Sequence, residues 1–488
     1  MEKAAKTPKN QLNKKAPSML NSQLVQVCHS LTKKEVRDLK KWLQSPAHNQ
    51  RADVVDLFAY LMQGDHLFQE KFLEKERIFQ KIFPGEPYDD ARLRQTFFFT
   101  LKAIEDFLSY QHLISESLNT RLALAKTYRH KKLDKPYQKR IREVEKLQEA
   151  HPFRDENFLI SEYLIEMERY EYLSKQQRTK DINLQKLAEK QEHSFISGKL
   201  RIACYMLSHQ RVYKTEYDFG MLSNVLHYVS ERAELLEVPA IRTYYYCYLA
   251  FSDPRDNAYF SHFKDAIFRY VDYFSQSEIR DLYLLAVNYC ISKSNEGVSG
   301  FMQEAFELFK NGIAKKVFIE NGILDHRTFR NVSGIAMNLK EFAWTESFIE
   351  KYRNYLPSKY KTDFVEDLRA QLYRKKGDLE KARQIALQIS SDDPLINLNT
   401  RWMLVTIYYQ EDELELLENQ LENMKTYLNR KKVLAYHKTA YTNLIQYTRK
   451  LIRVNPFDRA SKEKLRREIA EANPLIGKDW FFQQLDRL

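Results

Sequence analysis

Residues that could do chemistry are present in this chain, but they do not stand at spacings that would let them act together. Twelve histidines are scattered so that none lies within four residues of another. A helical zinc site needs two imidazoles one turn apart with a glutamate between them, so that site is not written here. No histidine follows an acid by three positions, as a carboxylate-bridged di-iron bundle requires. The 11 glycines among 488 residues form no cluster, so no loop is expected to cradle phosphate with its backbone amides. Asp218-Phe219-Gly220 has the letters of a kinase metal-binding triplet, yet the glycine-rich loop and His-Arg-Asp segment that would complete it are missing. Gly297-Val298-Ser299-Gly300 does not have the spacing of a nucleophile elbow, and a loop between helices explains it. Asn331-Val332-Ser333 fits a glycosylation sequon, which matters only on a secretory route. No metal, cofactor or catalytic residue is expected.

The cysteines Cys28, Cys204, Cys247 and Cys290 contain no Cys-x-x-Cys pair, which argues against a zinc knuckle or a disulfide framework and for a reducing compartment. The last three fall on apolar helical stripes, where a thiol is ordinarily buried and inert. His209, five residues beyond Cys204, lies about 140° around the helix from it, so the two do not form a nucleophile and base.

Anion binding is the remaining chemistry. The net charge of +12 is concentrated at the ends: residues 1–51 carry +8 and residues 430–470 carry +9, which leaves the rest at −5. Lysines 3, 6, 9, 14 and 15 belong to a polar opening segment. In the second basic run, Lys431, Lys432, Lys438, Arg449, Lys450 and Arg453 interleave with tyrosine, a pattern that could contact nucleic-acid phosphates. The plainer reading is preferred: Val433, Tyr436, Ala440, Leu444, Tyr447 and Leu451 trace a buried side, and the cations face water on a capping unit.

Scarce glycine and 13 prolines favour long helices over sheet. Residues 1–17 read as a basic disordered tail without the apolar core of a secretory signal, and no segment has the ~18 consecutive apolar residues of a membrane span. A cytoplasmic protein is expected. At LTKKEVRDLKKWL, Thr32 and Glu35 form a capping box, with the apolar face continuing through Leu39, Trp42 and Leu43. Leu93, Phe97, Leu101, Ile104 and Leu108 define a long helix whose stripe Phe98, Phe99 and Phe107 widen. KVFIENGIL admits a hairpin at Asn321-Gly322 or a helix stop, and the helix stop is preferred.

Repetition then appears. Cys204, Cys247 and Cys290 are each 43 residues apart, and the segments LKEF (339–342), KGDL (376–379) and EDEL (411–414) recur at spacings of 37 and 35. Pro357 and Pro394 are also 37 apart. Drifting periods of this size are the mark of helix-pair repeats. Within residues 370–394, Gly377-Asp378-Leu379 resembles the interhelical turn of the tetratricopeptide (TPR-like) family, and Ala382 its small second-helix residue. Tyr373 matches its first-helix aromatic and Pro394 its closing proline. Ala370 and Arg369 stand where that family has Gly and Leu. The resemblance implies an all-α fold of antiparallel helix pairs stacked as a right-handed solenoid, with protein or peptide recognition on a concave face and no chemistry of its own. The expected organisation is a tail (1–17), an N-terminal helical module (18–120), a TPR-like solenoid (121–430) and basic capping helices (431–488). The expected function is a non-enzymatic protein- or peptide-binding scaffold, with nucleic-acid binding through the basic C-terminal region as the alternative.

Overall fold

The computed structural model describes residues 19–115, 117–175, 182–213, 215–253, 256–391, 393–430 and 435–488. Among them are twenty-three α-helices, a few short 3-10 turns and one two-stranded sheet, so the fold is all-α. The residues expected to form a basic tail, 1–17, lie outside the described residues. The chain divides into two compact units, Met1–Ala150 with Leu164–Asn183, and His151–Tyr163 with Leu184–Leu488.

The first unit begins with Gln23–Ser30 (α1), Lys33–Gln44 (α2), Ala52–Leu61 (α3) and Lys75–Ile82 (α4), all packed on the long helix Asp90–Ser115 (α5). The capping box forms: Thr32 Oγ1 accepts from the Glu35 amide at 3.2 Å, and Glu35 Oε2 accepts from the Thr32 amide at 2.7 Å. Helix α5 buries Leu93, Thr96, Thr100, Ile104 and Phe107. Thr96 can be buried because its hydroxyl donates to Asp53 Oδ2 of α3 at 2.8 Å. Phe98 does not widen the buried stripe; it is 60% exposed, since five residues beyond Leu93 is about 140° around the helix. Ser117–His130 (α6) pairs with Asp134–Glu149 (α7), and Glu156–Leu173 (α8) gives its second half to this unit. There Tyr137 stacks on Tyr172 with centroids 3.9 Å apart.

The second unit opens with Leu184–Tyr213 (α9), Leu222–Ser230 (α10), Pro239–Ser252 (α11) and Asn257–Arg269 (α12). It continues through Gln276–Asn295 (α13), Phe301–Ala314 (α14), His326–Asn338 (α15) and Phe342–Tyr352 (α16). Next come Asp363–Lys376 (α17), Leu379–Gln388 (α18), Pro394–Gln410 (α19) and Leu414–Arg430 (α20). Ala435–Arg453 (α21), Arg459–Glu471 (α22) and Lys478–Arg487 (α23) complete it. Neighbours pack as pairs: α11 with α12, α13 with α14, α15 with α16, α17 with α18, and α19 with α20. The first helices of successive pairs also touch, α15 with α17 and α17 with α19. The 43-residue cysteine spacing has a structural counterpart, because Cys204, Cys247 and Cys290 lie buried on α9, α11 and α13.

The three recurrent tetrapeptides fold alike. The second residue of each is left-handed: Lys340 at φ 62°, Gly377 at 89° and Asp412 at 58°. The third residue's amide reaches five positions back in every case, Glu341 to Ala336 O at 2.9 Å, Asp378 to Tyr373 O at 3.0 Å and Glu413 to Tyr408 O at 2.9 Å. This closure satisfies carbonyls that a helix end leaves without partners and turns the chain back for the next helix. Within the best-matching segment Ala382 is fully buried, Tyr373 is buried and Pro394 opens α19 at its first turn. There proline's missing amide costs nothing.

The preferred reading of KVFIENGIL is corrected. Helix α14 stops at Ala314, and Ile319–Glu320 (β1) pairs antiparallel with Ile323–Leu324 (β2). Asn321 at φ 51° and Gly322 at φ 76° supply the two positive torsions a tight hairpin needs. Five apolar residues, Val317, Phe318, Ile319, Ile323 and Leu324, flank the Asn-Gly pair.

Candidate binding grooves

Lys431 and Lys432 lie outside the described residues, as does Val433. Lys438 is exposed on α21. Farther along that helix, Arg449, Lys450 and Arg453 line one groove of about 430 Å³ with Lys425 of α20, over a floor that includes Leu428 and Ile445. Their placement follows from α21's register: Ala440, Leu444 and Leu451 are buried, which turns 449, 450 and 453 toward the groove. Tyr436, expected on the buried side, is 65% exposed. Two of the three cations already have partners. Arg449 bonds Glu418 at 2.7 Å and Glu422 at 2.5 Å, and Lys450 bonds Glu468 at 2.5 Å. Burial works against the charge on Arg449, but the hydrogen bonds to Glu418 and Glu422 hold its pKa above the ordinary value. Arg453 and Lys425 make no ion pair among the described residues.

A second groove, of about 500 Å³, was not legible in the sequence. It runs between α14 and α16, the second helices of two successive pairs. Trp344 stacks on Phe348 with centroids 5.2 Å apart and planes 8° apart. Phe348 meets Tyr352 at 5.2 Å, and Tyr352 meets Tyr355 at 5.7 Å. Ile313 and Ala314 of α14 form the opposite wall, and Lys310, Lys316 and Lys351 stand at the rim. Aromatics at 344, 348 and 352 are spaced by four, so they drift around a helix by about 40° per step. Phe348 is therefore buried while Trp344 and Tyr352 remain partly open. That drift was the available signal.

One set of side chains does converge from distant positions, and none of them lines either groove. Tyr244 donates to Glu278 Oε1 at 2.6 Å, while Arg201 bonds Glu156 Oε2 at 2.8 Å and the Tyr205 hydroxyl at 3.1 Å. Burial raises the pKa of Glu278, and the Tyr244 hydrogen bond and the nearby Arg201 charge pull the other way. The five members of the set, from α8, α9, α11 and α13, tie four helices together. Cys204 donates to the Tyr244 carbonyl at 3.4 Å, and burial pushes the Cys247 thiol well up.

Among the described residues no group of three or more His, Cys, Asp or Glu could hold a metal ion, and no helix is long and apolar enough to cross a membrane. Compared with protein-family models, with curated proteins and with solved structures, the chain finds no match.

Proposed function

We propose that the helix pairs stack as a right-handed TPR-like solenoid, and that the protein is a non-enzymatic cytoplasmic scaffold that binds a protein or peptide. The observation that carries this reading is the open aromatic groove between α14 and α16, formed between successive pairs and lined by Trp and Tyr. These side chains are enriched where proteins bind one another, because they combine large apolar area with a polar tip. The three equivalent turns at Lys340, Gly377 and Asp412 support the repeat, since stacking lets each pair bury the face it cannot bury alone. Chemical cross-linking of the full chain in native lysate tests the reading. Partner cross-links should concentrate on the lysines of α14 and α16. Absence of any partner, together with turnover of a metabolite by the pure protein, would overturn it.

Nucleic-acid binding is the second reading, favoured by the gathering of Lys425, Arg449, Lys450 and Arg453 along one groove. It requires affinity for a labelled oligonucleotide that falls steeply with salt and is lost on charge reversal at Lys425 and Arg453. Binding that is absent or insensitive to salt ends it.

A further inference from the structure

We infer that the groove between α14 and α16 takes an acidic peptide segment of a partner protein, one whose carboxylates flank an aliphatic or aromatic anchor. This rests on the peptide-binding reading above and adds the chemistry of the partner.

Charge is the first argument. Lys310, Lys316 and Lys351 are exposed at the rim and make no ion pair among the described residues. Lys310 lies over the Phe306 ring at 5.3 Å and Lys351 over the Tyr352 ring at 5.4 Å, contacts that orient a cation without neutralising it. No acid lines the groove. The nearest acids in sequence are engaged elsewhere: Glu304 and Glu307 with Lys264, Glu320 with Arg280, and Glu350 with Arg353. Three uncompensated cations around an apolar trough call for an anionic occupant.

The second argument is an excess of donors. Trp344 Nε1 and the hydroxyls of Tyr352 and Tyr355 have no hydrogen-bond partner in the described structure. With the lysines they offer donors and no competing carboxylate. Side-chain carboxylates and peptide carbonyls supply the matching acceptors.

The rings decide between peptide and polynucleotide. A platform for bases must offer ring faces. Here Trp344 is already engaged by other rings: it lies flat on Phe348 and meets Phe306 at 86°, edge to face, with centroids 4.8 Å apart. Beside them the groove is lined by Ile313 and Ala314, an aliphatic wall suited to an apolar anchor. From Trp344 to Tyr352 is about 12 Å along the helix, the reach of about four extended residues. The chain's own opening segment is no candidate, since its lysines at 3, 6, 9, 14 and 15 would be repelled.

The test pans a display library of random 12-residue peptides against the full chain and against K310E/K316E/K351E, with K310Q/K316Q/K351Q as a second variant should the first fail to fold by circular dichroism. Enriched peptides are expected to carry Asp or Glu on both sides of a Leu, Ile, Phe or Trp. The best of them, fluorescein-labelled, should lose at least tenfold in affinity for either triple variant. Enriched peptides lacking acids, or bound equally by the variants, would overturn the inference and leave peptide binding standing. No enrichment on any surface would remove both. A labelled 12-nucleotide oligouridine that binds wild type more tightly than any selected peptide, and not the variants, would overturn the inference in favour of nucleic acid.

Discussion

The Tyr244 hydroxyl donates to Glu278 Oε1 across 2.6 Å, and both side chains are buried between helices whose sequences lie 34 residues apart. Burial gives Glu278 a folded-state pKa above its unfolded one, so the native state holds the proton more tightly. Its contribution to stability is therefore greatest at acidic pH, below the unfolded carboxyl value, and is lost as pH rises through the folded value. Tyr244→Phe should lower stability at pH 7 by about 1–3 kcal/mol, because it leaves a buried carboxyl oxygen without its hydrogen-bond donor. Glu278→Gln should flatten the acid side of a pH series of urea melts. An unchanged pH profile in Glu278→Gln would count against the assignment.

Asp367, fully buried on α17, accepts from Gln371 Nε2 at 2.8 Å and from Thr400 Oγ1 of α19 at 3.4 Å. Burial pushes its pKa from 3.8 to about 6, against the pull of Arg330 and those two hydrogen bonds. That difference corresponds to roughly 3 kcal/mol at most, and weakening one accepted hydrogen bond takes back about 1 kcal/mol. Asp367→Asn should thus stabilise the fold by about 2 kcal/mol at pH 7 and, with most of the ionisation cost gone, destabilise it by up to about 1 kcal/mol at pH 4. Melting temperatures at the two pH values check this.

The recurrent turns offer a comparison at equivalent positions. A side chain in the left-handed region costs about 1–2 kcal/mol that glycine escapes. Gly377→Ala should destabilise by that amount, whereas Lys340→Gly and Asp412→Gly should each be neutral or stabilising by up to about 1 kcal/mol. Equal losses at all three positions would show that the turns are not energetically equivalent.

In the first unit Arg129 grips Glu168 with two bonds, Nε to Oε1 at 2.6 Å and Nη2 to Oε2 at 3.0 Å, and their side chains are 9% and 2% exposed. Removing one partner from a buried pair costs about 3–5 kcal/mol, because the other charge is left in a poor solvent. Glu168→Ala should do so, while Arg129→Met with Glu168→Leu should recover most of the loss. Calorimetry of these two variants beside the wild type separates charge burial from packing.

Helix content, the Thr32 cap and the three turns were legible because each depends on residues within about five positions of one another. Local torsions and one-turn hydrogen bonds need nothing farther away. The 43-residue cysteine spacing likewise survived as three buried positions on alternate helices. The hairpin differs on local grounds: Asn-Gly signals a tight turn, and a glycine after an apolar stripe equally suits a helix stop, so the same letters serve both. Phe98 and Tyr436 were misplaced because an apolar side chain on a wide stripe is buried only if a neighbouring helix covers that angle, and the neighbour is not adjacent in sequence.

What this sequence determined by itself was an all-helical chain with regularly spaced turns, since short-range sterics and amphipathic periodicity suffice for both. Tertiary structure decided which charges are spent and which stay available. Arg449 and Lys450 meet glutamates 18 to 31 residues away, while Lys310, Lys316 and Lys351 meet none. The strength of a charge depends on separation through space and on access to water, and neither distance is recorded along the chain.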